Sequence, residues 1–182
     1  MAGTFLITEV MFDPSTSDNT TEWFEITNIT NDIYALNGLT IRATSNTANV
    51  VNHVIKSNVG IYMNGGEYAV LVINRQAARD LVHIDATKIK YEYAGNIKMT
   101  SDTGSKIEIF NLIEPFDAGE GRIAIVNYGG WFSNTSGKSI QMKEPLSFPA
   151  GENSAKWCQS SNAWADAGAL DKGTPGFPSD CP

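Results

Sequence analysis

The stretch Glu22-Trp23-Phe24-Glu25-Ile26-Thr27-Asn28 decides how the rest of the chain is read. In an extended backbone Phe24 and Ile26 share one face, and Trp23, Glu25 and Thr27 share the other. Aromatic and β-branched residues in this alternation suit a pleated, half-buried surface, so the stretch predicts a β-strand. Upstream, residues 4–12 form a second run, with Leu6, Thr8 and Val10 expected on one face and Ile7, Glu9 and Met11 on the other. Both faces of that run are mostly apolar, which makes Glu9 conspicuous. Residues 13–21 between the two runs are Pro, Ser, Thr, Asp and Asn, with acids at Asp13 and Asp18, and they read as a polar loop.

The same pattern continues downstream. Residues 34–36, 39–42, 50–55, 61–63, 68–73, 89–93, 106–110, 122–128 and 138–142 read as short strands. Asn37-Gly38 and Asn64-Gly65-Gly66 are tight-turn signals between them. Residues 68–73 are apolar on both faces and are expected to form the most central strand. Residues 75–81 alone look helical. Many short strands without helix alternation predict an all-β, two-layer antiparallel sandwich. Its core is expected to include Phe24, Ile26, Val70, Val72, Ile107 and Ile125. From Trp131 onward the apolar pattern thins, and residues 153–182, with Trp157, Trp164 and Gly173-Thr174-Pro175-Gly176, read as an irregular tail docked on the sandwich.

The 182 residues suffice for one domain with a substantial core, expected over 4–182. A hydrophobic share of 42% and an aromatic share of 10% exclude a disordered chain. Thirteen basic against twenty acidic residues give a net charge of −7, which phosphate backbones repel, so a nucleic-acid binder is not expected. No apolar run has the length of a bilayer span. Residues 1–3 read as a cloning remnant in place of a removed leader, the alternative being a cytosolic chain. Cys158 and Cys181 are the only cysteines and both fall in the tail. A bridge between them would stabilise by roughly 3 kcal/mol in the chain-entropy model and would point to an oxidising compartment; the alternative is two free thiols.

The order of these pieces resembles the lamin-tail domain, found in nuclear lamins and in secreted bacterial proteins. Ile7-Thr8-Glu9-Val10 is similar to the family's opening Ile-Asn-Glu-Val strand, with Thr for Asn. Residues 22–28 match Glu-Trp-Ile-Glu-Leu-x-Asn, and Leu36-Asn37-Gly38-Leu39-Thr40-Ile41 matches Leu-x-Gly-Trp-x-Leu, with Leu39 for Trp. Gly66 to Leu71, the hairpin Gly104-Ser105-Lys106-Ile107-Glu108-Ile109, Gly137-Lys138-Ser139-Ile140-Gln141-Met142, and the closing Trp157-Cys158 with Gly173-Thr174-Pro175-Gly176 follow in family order. The resemblance implies an immunoglobulin-like sandwich acting as an accessory binding or structural module. It supplies no catalytic residue.

Motifs with chemistry of their own are weak. Asp102-Thr103-Gly104-Ser105 spells an aspartic-protease signature, but that chemistry needs two such carboxylates and one motif is present; a hairpin turn is the plain reading. Gly119-Glu120-Gly121 precedes a strand rather than the helix that a dinucleotide fingerprint must open. Gly137-Lys138-Ser139 ends like a phosphate loop, yet Phe132 stands where the first glycine must be. His53 and His83 have no Cys or carboxylate at ligand spacing, so neither a zinc site nor a catalytic triad is expected. The Asn-x-Ser/Thr sequons at Asn19, Asn28 and Asn134 arise readily in so Asn-rich a chain.

The acids Glu9, Asp13, Asp18, Glu22 and Glu25 are more informative. Two carboxylates on apolar strands should pair with a cation, or one should keep its proton. Calcium takes six to eight oxygens, and Glu9, Asp13, Asp18 and Glu22 form the candidate ligand set. The alternative is that Glu9 or Glu22 caps backbone N–H groups of a neighbouring loop or pairs with Arg or Lys. The expected protein is thus a non-catalytic, secreted or cell-surface module and a monomer, contacting a protein or surface ligand, without membrane insertion. Calcium is the one cofactor to consider. The alternatives are a calcium-binding adhesion or targeting module attached to a hydrolase, and a hydrolase using the acidic residues.

Overall fold

A computed structural model of the chain describes residues 3–16, 18–45, 49–95, 97–111, 120–133, 136–147, 150–162 and 171–182, the side chains of residues 18 and 19 excepted. The expected residues Trp164 and Asn134, and Gly119 of the glycine pair, lie outside these. Among the described residues, twelve strands and two short α-helices follow in the order β1 (Phe5–Met11), α1 (Asp18–Thr21), β2 (Trp23–Asn28), β3 (Tyr34–Ala35), β4 (Thr40–Thr44), β5 (Val50–Val54), β6 (Tyr62–Met63), β7 (Tyr68–Val72), α2 (Arg75–Asp80), β8 (Ile89–Glu92), β9 (Lys106–Phe110), β10 (Arg122–Val126), β11 (Ile140–Met142) and β12 (Trp157–Gln159). The fold is an all-β sandwich. One sheet has six strands in the order β12-β11-β1-β2-β7-β8, the other has four in the order β10-β9-β4-β5, and β3 and β6 form a small ribbon.

The main core lies between the two large sheets. Phe24, Ile26, Val10 and Leu71 meet Ile41, Ile107, Ile109 and Val126 there, all essentially inaccessible. The six-stranded sheet is covered on its outer face as well. Met11, Trp23, Val70 and Val72 pack against Ala78 of α2 and against Val82, Ile84 and Ile89 beyond it. This double cover explains why every residue of β1 and β2 is buried. Val70 and Val72 are buried as expected, but under α2 rather than between the sheets. Phe24, Ile26 and Ile107 line the main core, and Ile125 is buried.

Three expectations are corrected. The central strands of the larger sheet are β1 and β2, while β7 stands next to the edge. The β7–β8 pair is parallel, because α2 carries the chain across the sheet and returns it in the same direction; the sheets are not wholly antiparallel. The tail is not wholly irregular either: β12 extends the larger sheet antiparallel to β11. The polar loop of residues 13–21 ends in a single helical turn, α1. Among the described residues no helix is long and apolar enough to cross a membrane.

Candidate functional site

The acidic residues of β1 and β2 separate onto the two faces of the larger sheet. Ile7 pairs with Ile26, but Glu9 pairs with Glu25, so β1 carries one extra residue, Thr8, at a bulge. The bulge lets Ile7 face the main core with Ile26 while Glu9 turns outward beside Glu25. Directly opposed residues of an antiparallel pair lie on one side of the sheet, which places the two carboxyls together. Gln141 of β11 is opposite Glu9 on its other flank.

The chain's C-terminal segment lies over this pair. Thr174 donates its backbone N–H to both oxygens of Glu9, at 2.9 and 3.2 Å, and its hydroxyl to Oε2 at 3.2 Å. Ser139 Oγ and Gln141 Nε2 also donate to Glu9 Oε1, the latter at 3.0 Å. Glu25 Oε2 accepts the backbone N–H of Gly176 at 2.7 Å, and Oε1 accepts Thr8 Oγ1 at 2.6 Å. Gly176 has φ +88, and a Cβ there would run into the Lys88 side chain. The Gly-Thr-Pro-Gly signature is therefore shaped by this contact: two free N–H groups aimed at two carboxyls, with Pro175 between them.

Burial raises both acids. Desolvation lifts Glu9 to about 7, against the opposing pull of its hydrogen bonds from Gln141, Ser139 and Thr174. Glu25 rises well above its usual value, first through burial and then through the charge of Glu9, with Lys88 pulling the other way. Glu25 has fewer donors than Glu9, so it is the member that keeps its proton. Thr8 and Thr27 hydroxyls are 2.8 Å apart and can reverse their chain of donors to receive it.

This arrangement has a pH signature. Both folded values exceed the unfolded glutamate value of about 4.3, so the folded state holds more protons. The stabilisation is complete below that value and is lost as pH rises through about 7 for Glu9 and higher for Glu25. His53, held below its usual value by burial and by Lys56, tilts the profile the opposite way. Comparison with Glu25→Gln, which mimics the protonated acid, isolates the pair. The variant is expected to melt higher than the parent at pH 8.5 and to lose much of the decline between pH 5.5 and 8.5. Parallel melting profiles for the two proteins would remove the buried pair from the account.

Glu22 lies elsewhere. Its carboxylate accepts the backbone N–H of Met99 at 2.9 Å on the main-core side of the sheet, near Tyr93 and Tyr128. Burial first, and the Glu22 charge second, push both phenols upward. Of the expected calcium ligands, Glu9 and Glu22 are thus kept apart: they face opposite sides, each capping a loop N–H. Asp13 is half-buried and uses its carbonyl to accept from Gly137 N at 2.7 Å. The side chain of Asp18 lies outside the described residues. Among the described residues, no three His, Cys, Asp or Glu side chains gather as a metal-holding group.

The other motifs resolve as turns. Asp102 is exposed and its carbonyl accepts from Ser105 N in the turn before β9, with Gly104 at φ +91. Gly121 turns the chain into β10 at φ +65. Ser139 of the phosphate-loop look-alike donates to Glu9. His53 Nε2 is 2.8 Å from Tyr91 Oη, and His83 occupies a left-handed position. Open depressions lie against α2, around Asn74, Ala77 and Leu81, and beside β5, around Val51, Lys98 and Thr100; neither is lined by Glu9, Glu22 or Glu25.

The tail has further anchors that sequence reasoning missed. Cys158 and Cys181 form a disulfide with Cα atoms 5.9 Å apart, as expected, and Trp157 is buried, its indole N–H donating to Ala150 O at 3.0 Å. Asp171 accepts from Ser15 N at 2.8 Å and from its hydroxyl. Gln141 Oε1 accepts from Ser179 Oγ and Asp180 N, each at 3.1 Å. Asn28, at the end of the deciding motif, is buried and donates to the carbonyls of Asp32, Met63 and Asn64, holding the loops at that end of the sandwich. The positions of Asp171 and Gln141 carry no periodic signal; only their occurrence beside the family-like motifs marks them.

No known family and no curated protein matches the sequence. Among solved structures, the chain is similar to a DUF4876 family protein from Bacteroides thetaiotaomicron VPI-5482, with 12% identity and a TM-score of 0.51. The match covers 78% of this chain and 63% of that one. At this identity the likeness concerns the fold, and the chain spans less than two thirds of its neighbour's length.

Proposed function

We propose that this chain is a non-catalytic binding or structural module of the lamin-tail type, exported and acting outside the cell or at its surface on a protein or surface ligand. The observation that carries the reading is the use of the motif glutamates. Glu9, Glu25 and Glu22 direct their oxygens at internal N–H and O–H donors that pin the tail and a loop. Catalytic carboxylates would instead converge on a concave, accessible pocket. Export is supported by the Cys158–Cys181 bridge, since structural disulfides persist in oxidising compartments. The net charge of −7 disfavours a nucleic-acid partner. The order of the lamin-tail-like motifs along the chain supports the same class.

Two measurements test the proposal. Antibody detection on intact cells or in the medium, with both cysteines oxidised, is the expected result. Protein confined to the cytosol with both thiols open to alkylation would overturn export. Turnover of glycoside, ester, phosphate or peptide substrates that Glu22→Gln abolishes would replace the module with a hydrolase.

A further inference from the structure

Gln141, Thr174 and Glu9 are in mutual hydrogen-bond contact. The Gln141 amide has a fixed orientation, because its Oε1 accepts a backbone N–H from Asp180, which can only donate, as well as the Ser179 hydroxyl. Its Nε2 donates to Glu9 Oε1 at 3.0 Å and to Thr174 Oγ1 at 2.9 Å. The Thr174 hydroxyl donates in turn to Glu9 Oε2 at 3.2 Å. One carboxylate therefore touches both a hydroxyl and the nitrogen of the carboxamide beside it. Gln141 and Glu9 are closed to solvent, and Pro175 and Gly176 are buried next to them.

We infer that Thr174 and Gln141 condense within the folded chain into an ester cross-link, with Glu9 carrying the proton and ammonia as the released product. The hydroxyl is a nucleophile once a base within hydrogen-bond reach takes its proton. In the step, the Thr174 Oγ1–Cδ bond of Gln141 forms and the Cδ–Nε2 bond breaks. The Oγ1 proton passes to the ionised Glu9 carboxylate, and the Glu9 carboxyl then gives that same proton to the departing nitrogen. Glu9 is regenerated, and no oxidant or cofactor is consumed. The donors from Asp180 and Ser179 face the amide oxygen, where negative charge develops in the tetrahedral intermediate. Holding the groups in contact replaces an improbable encounter with an intramolecular one. A Glu9 value near 7 suits a group that must both take and release a proton near neutrality, and protonated Glu25 leaves Glu9 as the ionised member. Ser139 Oγ and the Thr174 backbone N–H are the other donors to that carboxylate, and Lys88 is the cation acting on Glu25. The result is a second covalent tie, joining the tail to β11 as the disulfide joins it to β12.

The test uses the full chain, incubated at pH 8, reduced, and digested with trypsin. Cleavage after Lys138, Lys143 and Lys172 separates residues 139–143 from 173–182 unless they are joined. The expected result is one linked species lighter by one ammonia than the sum of the two peptides and cleaved by hydroxylamine. It should be absent in Thr174→Val, which keeps the side-chain shape, and in Glu9→Gln, and present in Thr174→Ser. Free peptides of full mass would overturn the inference. So would ammonia loss without linkage, as from Asn37-Gly38 or Asn64-Gly65.

Discussion

Replacing Phe24 with Ala will lower unfolding free energy by about 3–5 kcal/mol. Phe24 is inaccessible to solvent, stands opposite Val10 on one side and Leu71 on the other, and stacks on Tyr93 at 5.9 Å between ring centroids. The loss combines transfer energy with a cavity that neighbours on two sheets cannot collapse into without breaking strand pairing. In urea titration the midpoint should fall while the slope stays unchanged, which marks a change of stability rather than of compactness. A midpoint within error of the parent would mean that the inner face of β2 has been assigned wrongly.

Removal of the disulfide in a Cys158→Ser, Cys181→Ser double variant is the second large effect, about 3 kcal/mol in the chain-entropy model. The bridge spans 23 residues and closes the tail, between β12 and the end of the chain, into a loop. The loss should be local as well as global. Amides of Thr174 and Gly176 should exchange faster, while those of β4 and β9 in the opposite sheet change only with global stability. An unchanged denaturation midpoint in the double variant would show that the tail is retained without the disulfide.

The strands were legible because period-two alternation is a local property. Residues 22–28 and 106–110 needed no long-range information, and Asn37-Gly38 and Asn64-Gly65-Gly66 mark their turns by backbone chemistry alone. Strand order was not legible in this way. The apolar run 68–73 is covered on both faces whether it lies at the centre or next to an edge, and its residues do not state which. The parallel return of β8 depends on how α2 packs, and the three residues of β12 are too few to show a period.

The site was half legible. Glu9 stood out as an acid in an apolar run, and capping of loop N–H groups was one of the two readings open for it. Its partner was missed because strict alternation put Ile7, Glu9 and Met11 on one face, whereas the bulge at Thr8 sends Ile7 inward. Parity did separate Glu22, in step with Phe24 and Ile26, from Glu25, in step with Trp23. That alone argues against Glu9 and Glu22 sharing an ion once Glu9 is known to face Glu25. The Gly-Thr-Pro-Gly segment gave the other half of the contact, but nothing in its composition says which strand it covers.

Glu9 and Glu25 form a buried pair that holds the tail through Thr174 and Gly176. Carboxyl carbon shifts of the two glutamates, followed from pH 3 to 9 together with the amide shifts of Thr174 and Gly176, test it most directly. Neither carboxyl should titrate near the ordinary value of about 4.3; Glu9 should ionise near 7 with Glu25 above it, and both amides should shift with them. Two ordinary titrations, with the amides indifferent to both, would contradict it.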